Sequence, residues 1–251
     1  MNGYNEKVII INEIKNPKIS VIIPTYNEEK YIEDTLLSIK YQRFNYPYEI
    51  IVSDSNSKDK TIEIAKRYAN KIIITKKRGI SIGRNLGAKY AKGDILIFVD
   101  ADTILLPNTL REVYKVIKKK GISLVFVPFL SREYSPISNF YFSFSFNYMK
   151  FLYIVGKVAH IPGFFMACKR EDFFRVGGFD EKLKVLEDFD FSEKLSKIGK
   201  VCFVENTYVL TSSRRIKKWG TKAIPKYLAS YFNYLIFKND KIGKNFWKPI
   251  R

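Results

Sequence analysis

Short unbroken apolar runs alternate along this chain with segments whose apolar residues recur every three or four positions, a pattern that predicts strands and helices in turn. Ile19–Ile23, Tyr48–Val52, Lys71–Thr75 and Ile95–Val99 are the runs. Rich in β-branched residues, they suit strands covered on both faces. Ile32, Leu36 and Ile39 follow the first at helical spacing, and Ile62, Ala65 and Ala69 follow the second. Gly79 opens a third helical segment carrying Arg84, Asn85, Leu86, Ala88 and Tyr90. Asn27 is expected to cap the first helix, with Glu28 and Glu29 in its opening turn. The shorter run Val8–Ile11 suits an edge strand. Strand–helix repeats with short connections predict an α/β fold with a mostly parallel central sheet flanked by helices.

The second half is less regular. A helix over about 107–119 and a strand at Leu124–Phe129 lead into Tyr134–Phe165, an aromatic region without an acidic residue. Gly163 precedes another expected strand, Phe164–Cys168. Gly177-Gly178-Phe179-Asp180-Glu181 reads as a turn. Glu187-Asp188-Phe189-Asp190 opens a helix continued by Phe191, Leu195 and Ile198, and Lys200–Val204 is strand-like again.

Composition narrows the classes of function. With 46% hydrophobic and 27% charged residues among 251, the chain is globular. Its net charge of +19 points to an anionic partner: nucleic acid, a phosphorylated substrate or an acidic membrane surface. Two cysteines, Cys168 and Cys202, are too few for a disulfide framework, and no Cys/His spacing suggests zinc. A reducing, cytoplasmic setting is expected. No signal-length apolar block precedes the first strand, and no charge-free stretch is long enough to span a bilayer.

The chemistry concentrates where Ile95–Val99 ends in Asp100-Ala101-Asp102. Ligands of open α/β sheets bind outside the carboxyl ends of the strands. Paired carboxylates there suit a hard cation, Mn²⁺ or Mg²⁺, which grips phosphate in turn. No Gly-x-Gly-x-x-Gly follows the first strand and there is no Walker lysine loop, which disfavours dinucleotide and P-loop readings.

Taken together, Pro24-Thr25-Tyr26-Asn27-Glu28, the Ser53–Thr61 segment with Asp54, Asp59 and Thr61, Gly83-Arg84-Asn85-Leu86-Gly87, Asp100-Ala101-Asp102, Gly177–Glu181 and Glu187-Asp188 resemble the ordered motifs of the inverting GT-A-fold glycosyltransferases of family 2. The likeness spans roughly residues 18–215. It implies a GT-A domain over 1–215, with a nucleotide half at about 18–106 and an acceptor half at about 107–215. A basic, aromatic C-terminal extension follows at 216–251. The second segment lacks the family's usual glycine.

The resemblance implies transfer of a sugar from a UDP- or GDP-sugar to an acceptor hydroxyl or lipid phosphate, with inversion. Asp102 would be the metal ligand, and Asp100 would face the ribose or reach the ion through water. Pro24, Thr25 and Tyr26 would border the base, Asp54 would accept from a ring N–H, and Glu28 would reach nucleotide or metal. Arg84 would partner Asp54 or the diphosphate. Asp188 would be the general base, with Glu187 and Asp190 as neighbours able to exchange roles. Gly163, Arg214 and Arg215 would lie on the acceptor or diphosphate side. Each motif also has an ordinary structural reading: an Asx turn at Asp54, a core aromatic at Tyr26, a charged helix start at Glu187–Asp190. His160, the sole histidine, precedes Gly163 and is expected in the pocket or core rather than on a metal.

The implied partners are a nucleotide-sugar donor and a glycan or lipid-linked acceptor. Tyr134–Phe165 could wall the acceptor site or meet lipid headgroups. Tyr227, Tyr231, Phe232, Trp247 and neighbours among lysines at 223–251 suit either helix packing or peripheral contact with an anionic membrane. Two other classes compete. A sugar nucleotidyltransferase would need a Gly-rich basic loop after the first strand, which Pro24–Glu29 is not. A nucleic-acid-binding module would exploit the +19 charge, but acids gathered at strand ends argue against it.

Overall fold

The computed structural model describes residues 5–133, 135–157, 159–183 and 185–219. The first half runs β1 (Glu6–Ile10), β2 (Ile19–Thr25), α1 (Ile32–Lys40), β3 (Tyr48–Asp54), α2 (Thr61–Ala65), β4 (Lys71–Thr75), α3 (Ile80–Lys89) and β5 (Ile95–Val99). It continues through β6 (Thr103–Leu105), α4 (Thr109–Ile117), β7 (Ile122–Phe126), β8 (Phe129–Ser131) and α5 (Pro136–Gly156). Last come β9 (Phe165–Lys169), α6 (Arg170–Arg175), α7 (Glu187–Ile198), β10 (Lys200–Phe203), β11 (Val209–Thr211) and α8 (Arg214–Trp219).

Eight strands form the main sheet in the order β1-β4-β3-β2-β5-β9-β7-β10. β2 is parallel to both β3 and β5, so the chain's direction of travel across the sheet reverses at β2 and the loops after β2 and β5 diverge there. That reversal is where an open α/β sheet leaves a crevice. β1 closes one edge antiparallel to β4, and β9 runs antiparallel to both β5 and β7. A small sheet, β6-β11-β8, stands apart.

The four central runs are buried almost throughout, as their composition requires: Ile22, Ile23, Val52, Ile73 and Phe98 are fully enclosed. Gly87 lets α3 close onto β2, since a Cβ there would run into Ile22. In the second half, aromatic packing supplies the core. Phe179 and Phe191 lie 4.1 Å apart between centroids, and Phe98 meets Phe179 edge-on at 5.1 Å. These rings bind α7 to the end of β5.

One polar cluster sits inside the sheet. Lys71 Nζ pairs with Glu49 at 2.7 Å, Ser20 Oγ donates to Glu49 at 2.6 Å, and the Lys92 N–H donates to it at 2.6 Å. Such a satisfied network fixes the mutual register of β2, β3 and β4, because any slip would strand a buried charge.

The pattern mispredicts four details. Asn27 does not cap α1: it takes a left-handed φ of 52° in the loop, and α1 begins at Ile32. The expected helix through Ala69 is only Thr61–Ala65. The strand expected at Leu124–Phe129 breaks at Val127–Pro128 into β7 and β8, since proline cannot donate to a ladder. Tyr134–Phe165, expected only as an aromatic region, contains a helix of 21 residues, α5. Of the extension at 216–251, residues 220–251 lie outside the described residues.

Candidate active site

Two loops at the carboxyl ends of β2 and β3 are stitched together. Thr25 pairs with Asp54 in register, and its Oγ1 donates to Asp54 Oδ2 at 2.8 Å. Asp54 also accepts from the Ser57 N–H at 2.7 Å and the Ser57 hydroxyl at 2.6 Å, and it is fully buried. The Asn27 N–H donates to Ser57 Oγ, the Glu28 N–H to Thr61 Oγ1, and the Lys58 N–H to Asn27 Oδ1, each at 2.8 Å. Asp59 Oδ1 accepts from both the amide and the hydroxyl of Thr61, an Asx turn that leads into α2. Asn27 is therefore spent on loop-to-loop bonding, which explains why it is not a helix cap. Tyr26 lies under Arg78, whose guanidinium is 4.4 Å from the ring centroid. Pro24, half-buried, ends the floor of the crevice.

The expected partnership of Arg84 with Asp54 or a diphosphate is not what the structure holds. Arg84 is 1% exposed, and Asp54 already has its own donors. From α3 the guanidinium reaches Asp100 Oδ1 at 3.0 Å, Glu187 Oε1 at 2.8 Å and the Gly163 carbonyl at 2.9 Å. Its face covers the Phe179 ring at 5.0 Å. Burial works against its charge, but Asp100, Glu187 and Asp188 outweigh that and keep it firmly protonated. At Gly163 the backbone approaches so closely that a Cβ would strike the guanidinium and force Arg84 from its present position.

Arg84 thus ties the end of β5 to the start of α7. Asp188 Oδ2 accepts from the Gly163 N–H at 2.7 Å and Oδ1 accepts from the Phe189 N–H at 2.9 Å. Burial lifts the Glu187 carboxyl to about 7, with Asp188 adding to the effect and Arg84 opposing it. Burial raises Asp188 as well. Two carboxyls side by side in a desolvated pocket hold protons at a pH where ordinary carboxylates have lost them. Asp190, in the same turn, pairs with Lys194 at 2.7 Å. His160 is buried and stacks on Phe189 at 5.1 Å, a core position.

A second arginine bridges the β2 loop and the end of β5. Arg214, at the start of α8, chelates Glu28 at 2.9 and 3.1 Å and lies 3.2 Å from Asp102. Tyr31 supports it, ring against guanidinium at 5.0 Å. A cavity of about 440 Å³ opens between Asn27–Tyr31, Lys58–Asp59 and Arg214. Neither Asp100 nor Asp102 is on its walls; Arg214, which is, connects it to Asp102. The side chain of Arg215 falls outside the described residues.

Sequence reasoning missed Glu133. Its carboxylate accepts from Ser212 Oγ at 2.8 Å and from the Ser213 N–H and hydroxyl at 2.8 and 3.0 Å, which fixes the corner just before Arg214. Burial acts against its charge, yet these bonds prevail and lower its pKa to about 2. The signal was present: Glu133 is the sole acid between Glu112 and Glu171.

Among the described residues, no group of three or more His, Cys, Asp or Glu side chains could hold a metal ion. The donor chemistry of Asp100 and Asp102 still fits Mn²⁺ or Mg²⁺, which bind through one or two carboxylates plus substrate phosphates rather than in an all-protein cage.

Comparison with known proteins agrees with this architecture. The profile of glycosyl transferase family 2 matches residues 20–177. An uncharacterized glycosyltransferase of Haemophilus influenzae is 27% identical over 191 residues, 70% of this chain and 61% of the relative, so the chain spans less than two thirds of that relative. Among solved structures, Staphylococcus aureus TarS 1–349 in complex with UDP superposes with a TM-score of 0.62 at 22% identity, covering 88% of this chain and 72% of TarS 1–349. The mannosyltransferase PcManGT of Pyrobaculum calidifontis, in complex with GDP-Man and Mn²⁺, gives 0.66 at 23% identity, covering 88% and 65%. Both share the GT-A fold with the present protein. With the profile spanning more than half of its residues, the chain belongs to glycosyl transferase family 2.

Proposed function

We propose that this protein transfers a sugar from a nucleotide-diphosphate donor, a UDP- or GDP-sugar, to an acceptor hydroxyl or lipid phosphate with inversion. The observation that carries the reading is the Arg84 clamp, which brings Asp100 of the β5 end and Glu187–Asp188 of the α7 start to one locus. Donor-side and acceptor-side acids meet there. TarS bound to UDP and PcManGT bound to GDP-Man with Mn²⁺ support the donor class.

In this reading residues 1–215 form the catalytic domain, with donor and acceptor halves meeting at β5, and 216–251 form an extension. Pro24, Thr25 and Tyr26 border the nucleotide, and Asp54 braces their loop from within. An ion held by Asp102 and Asp100 would offset the charge growing on the departing diphosphate. Arg214 moves between Asp102, Glu28 and that diphosphate as a mobile counter-charge. Asp188 takes the proton from the acceptor hydroxyl as the new bond forms at the anomeric carbon and the bond to the diphosphate breaks on the opposite face. Its raised pKa suits that task, since a base works best near the operating pH. Glu187 shares the proton equilibrium, and Asp190 stays with Lys194.

Thermal unfolding with UDP, GDP and their sugars, with and without Mn²⁺ or Mg²⁺, tests the donor site. A hundredfold excess over the dissociation constant stabilises the native state by about 2.7 kcal/mol. One nucleotide should give a metal-dependent shift that Asp102→Asn abolishes. Absence of a shift with any nucleotide would refute the proposal.

A further inference from the structure

Helix α5 has two unlike faces. Ser138, Phe142, Phe146 and Met149 are buried, the helix lying against β8. On the other side Ile137, Phe140, Phe144, Tyr148, Phe151 and Val155 recur at helical spacing and are between 47% and 79% exposed. Phe144 and Tyr148 stack flat on each other along this stripe, at 6.2 Å and 7°. A run of large apolar side chains over a helix of 21 residues, roughly 30 Å long, is more than a water-facing surface ordinarily leaves bare.

The charge around the stripe says what covers it. From residue 134 to 170 the sequence has no acid, and the acid that reaches α5 from elsewhere, Glu205, pairs with Lys150. The carboxyl end of α5 joins a lysine-rich corner: Tyr153 Oη accepts from the Val201 N–H at 2.8 Å, and the Lys200 N–H donates to the Gly121 carbonyl, just after Lys118–Lys120. A second cavity of about 440 Å³ opens at this corner, with Tyr153, Lys157, Ser196, Lys200 and Cys202 on its walls. The positive charge of Lys119 is also felt at Cys202. The cavity opens beside Tyr153, on the core side of the helix end, while the stripe stops at Val155, two residues before exposed Lys157. Apolar side chains and lysines thus meet at the carboxyl end of α5, as an amphiphile with an anionic headgroup requires. Residues 206–251 of the chain cannot supply the missing negative charge, since Asp240 is their sole acid. No helix among the described residues is long and apolar enough to cross a membrane.

We propose that α5 lies in the plane of an anionic bilayer surface, with its Phe/Ile stripe entering the headgroup–acyl boundary and Lys119, Lys157 and Lys200 meeting lipid phosphates. Both faces of α5 are apolar, one held by the protein core and the other left for the lipid; surface helices bind through such apolar burial and attraction to anionic lipids together. The inference does not depend on sugar transfer.

Co-sedimentation of the full chain with phosphatidylcholine vesicles, with and without phosphatidylglycerol, reads the binding directly. The parent should bind vesicles containing phosphatidylglycerol. Phe140→Ser/Phe144→Ser/Phe151→Ser should weaken that binding roughly tenfold or more, because three aromatic anchors leave the interface. Lys119→Gln/Lys157→Gln/Lys200→Gln should remove the preference for phosphatidylglycerol. All six side chains are exposed, so both variants should melt with the parent. In a Phe144→Trp chain, the added fluorescence should shift to the blue and be quenched by brominated lipid only when such vesicles are present. The proposal fails if the parent does not bind, or if the serine variant binds as well as the parent, which would leave charge alone as the cause. It also fails if the Phe144→Trp emission is already blue-shifted in buffer, because residues 220–251 or a second copy would then cover the face.

Discussion

Replacing Arg84 by methionine keeps a chain of similar length but leaves Glu187, 6% exposed, facing an apolar group. Arg84 makes three charge-assisted bonds of 2.8–3.0 Å, to Glu187, Asp100 and Gly163. At about 1.5–3 kcal/mol each, their sum overstates the loss, because the guanidinium's own desolvation cost disappears with it. Breaking a buried pair from one side typically costs about 3–5 kcal/mol, and that is the expected loss for Arg84→Met. Urea unfolding followed by circular dichroism measures it, as a fall in midpoint at unchanged slope. Arg84 opposes the burial that lifts Glu187 to about 7, so its removal pushes that carboxyl higher still and the loss should grow as pH rises through and above 7. Arg84→Met/Glu187→Gln should recover part of it, because glutamine leaves no charge to bury. A loss below about 1 kcal/mol, or a double variant no more stable than Arg84→Met, would refute the clamp as an energetic link between the two halves of the site.

Further outcomes follow from the same geometry. Asp188→Asn should lower kcat by ~10²–10⁴ while nucleotide-induced stabilisation survives, and an equal loss of both would remove Asp188 from the role of base. Glu187 has its pKa raised on folding, so its contribution to stability is full below its unfolded value of 4.5 and is lost as pH rises through about 7. The stability–pH curve should therefore fall by roughly 2–3 kcal/mol across that window, and Glu187→Gln should flatten it. Glu133 behaves in the opposite sense: its pKa is lowered to about 2, so its contribution is present above 4.5 and disappears as pH falls toward 2. Glu133→Gln should loosen the Ser212–Arg214 corner and weaken nucleotide binding with little change in kcat, which titration of nucleotide against the two proteins would test.

The sheet was legible because its strands are covered on both faces and so appear as continuous apolar runs. The strand-end acids were legible for the complementary reason, since Asp100 and Asp102 interrupt such a run abruptly. What Arg84 does could not be read off, because its partners lie 16, 79 and 103 residues away and only the packing of β9 and α7 against β5 brings them near. Helix α5 escaped notice because both of its faces are apolar: Phe142 and Phe146 point inward while Phe140 and Phe144 point outward. No amphipathic period emerges from such a segment. Asn27 was misread because an asparagine before acidic residues serves equally as a helix cap or, in the left-handed conformation, as a turn.

The placement of β9 has a consequence for how the protein is made. During synthesis β1 to β5 emerge first and can pair among themselves, but one edge of β5 faces nothing until residues 165–169 arrive to run antiparallel along it. Until then a fully apolar strand presents open backbone groups to any other nascent chain, the situation that favours edge-to-edge aggregation. Pairing so distant in sequence also makes for slow closure. The edge of β5 that β9 later covers is thus the point of greatest exposure on the ribosome, and overproduction of this protein should benefit most from slow synthesis or from chaperones that shield β5 until β9 is in place.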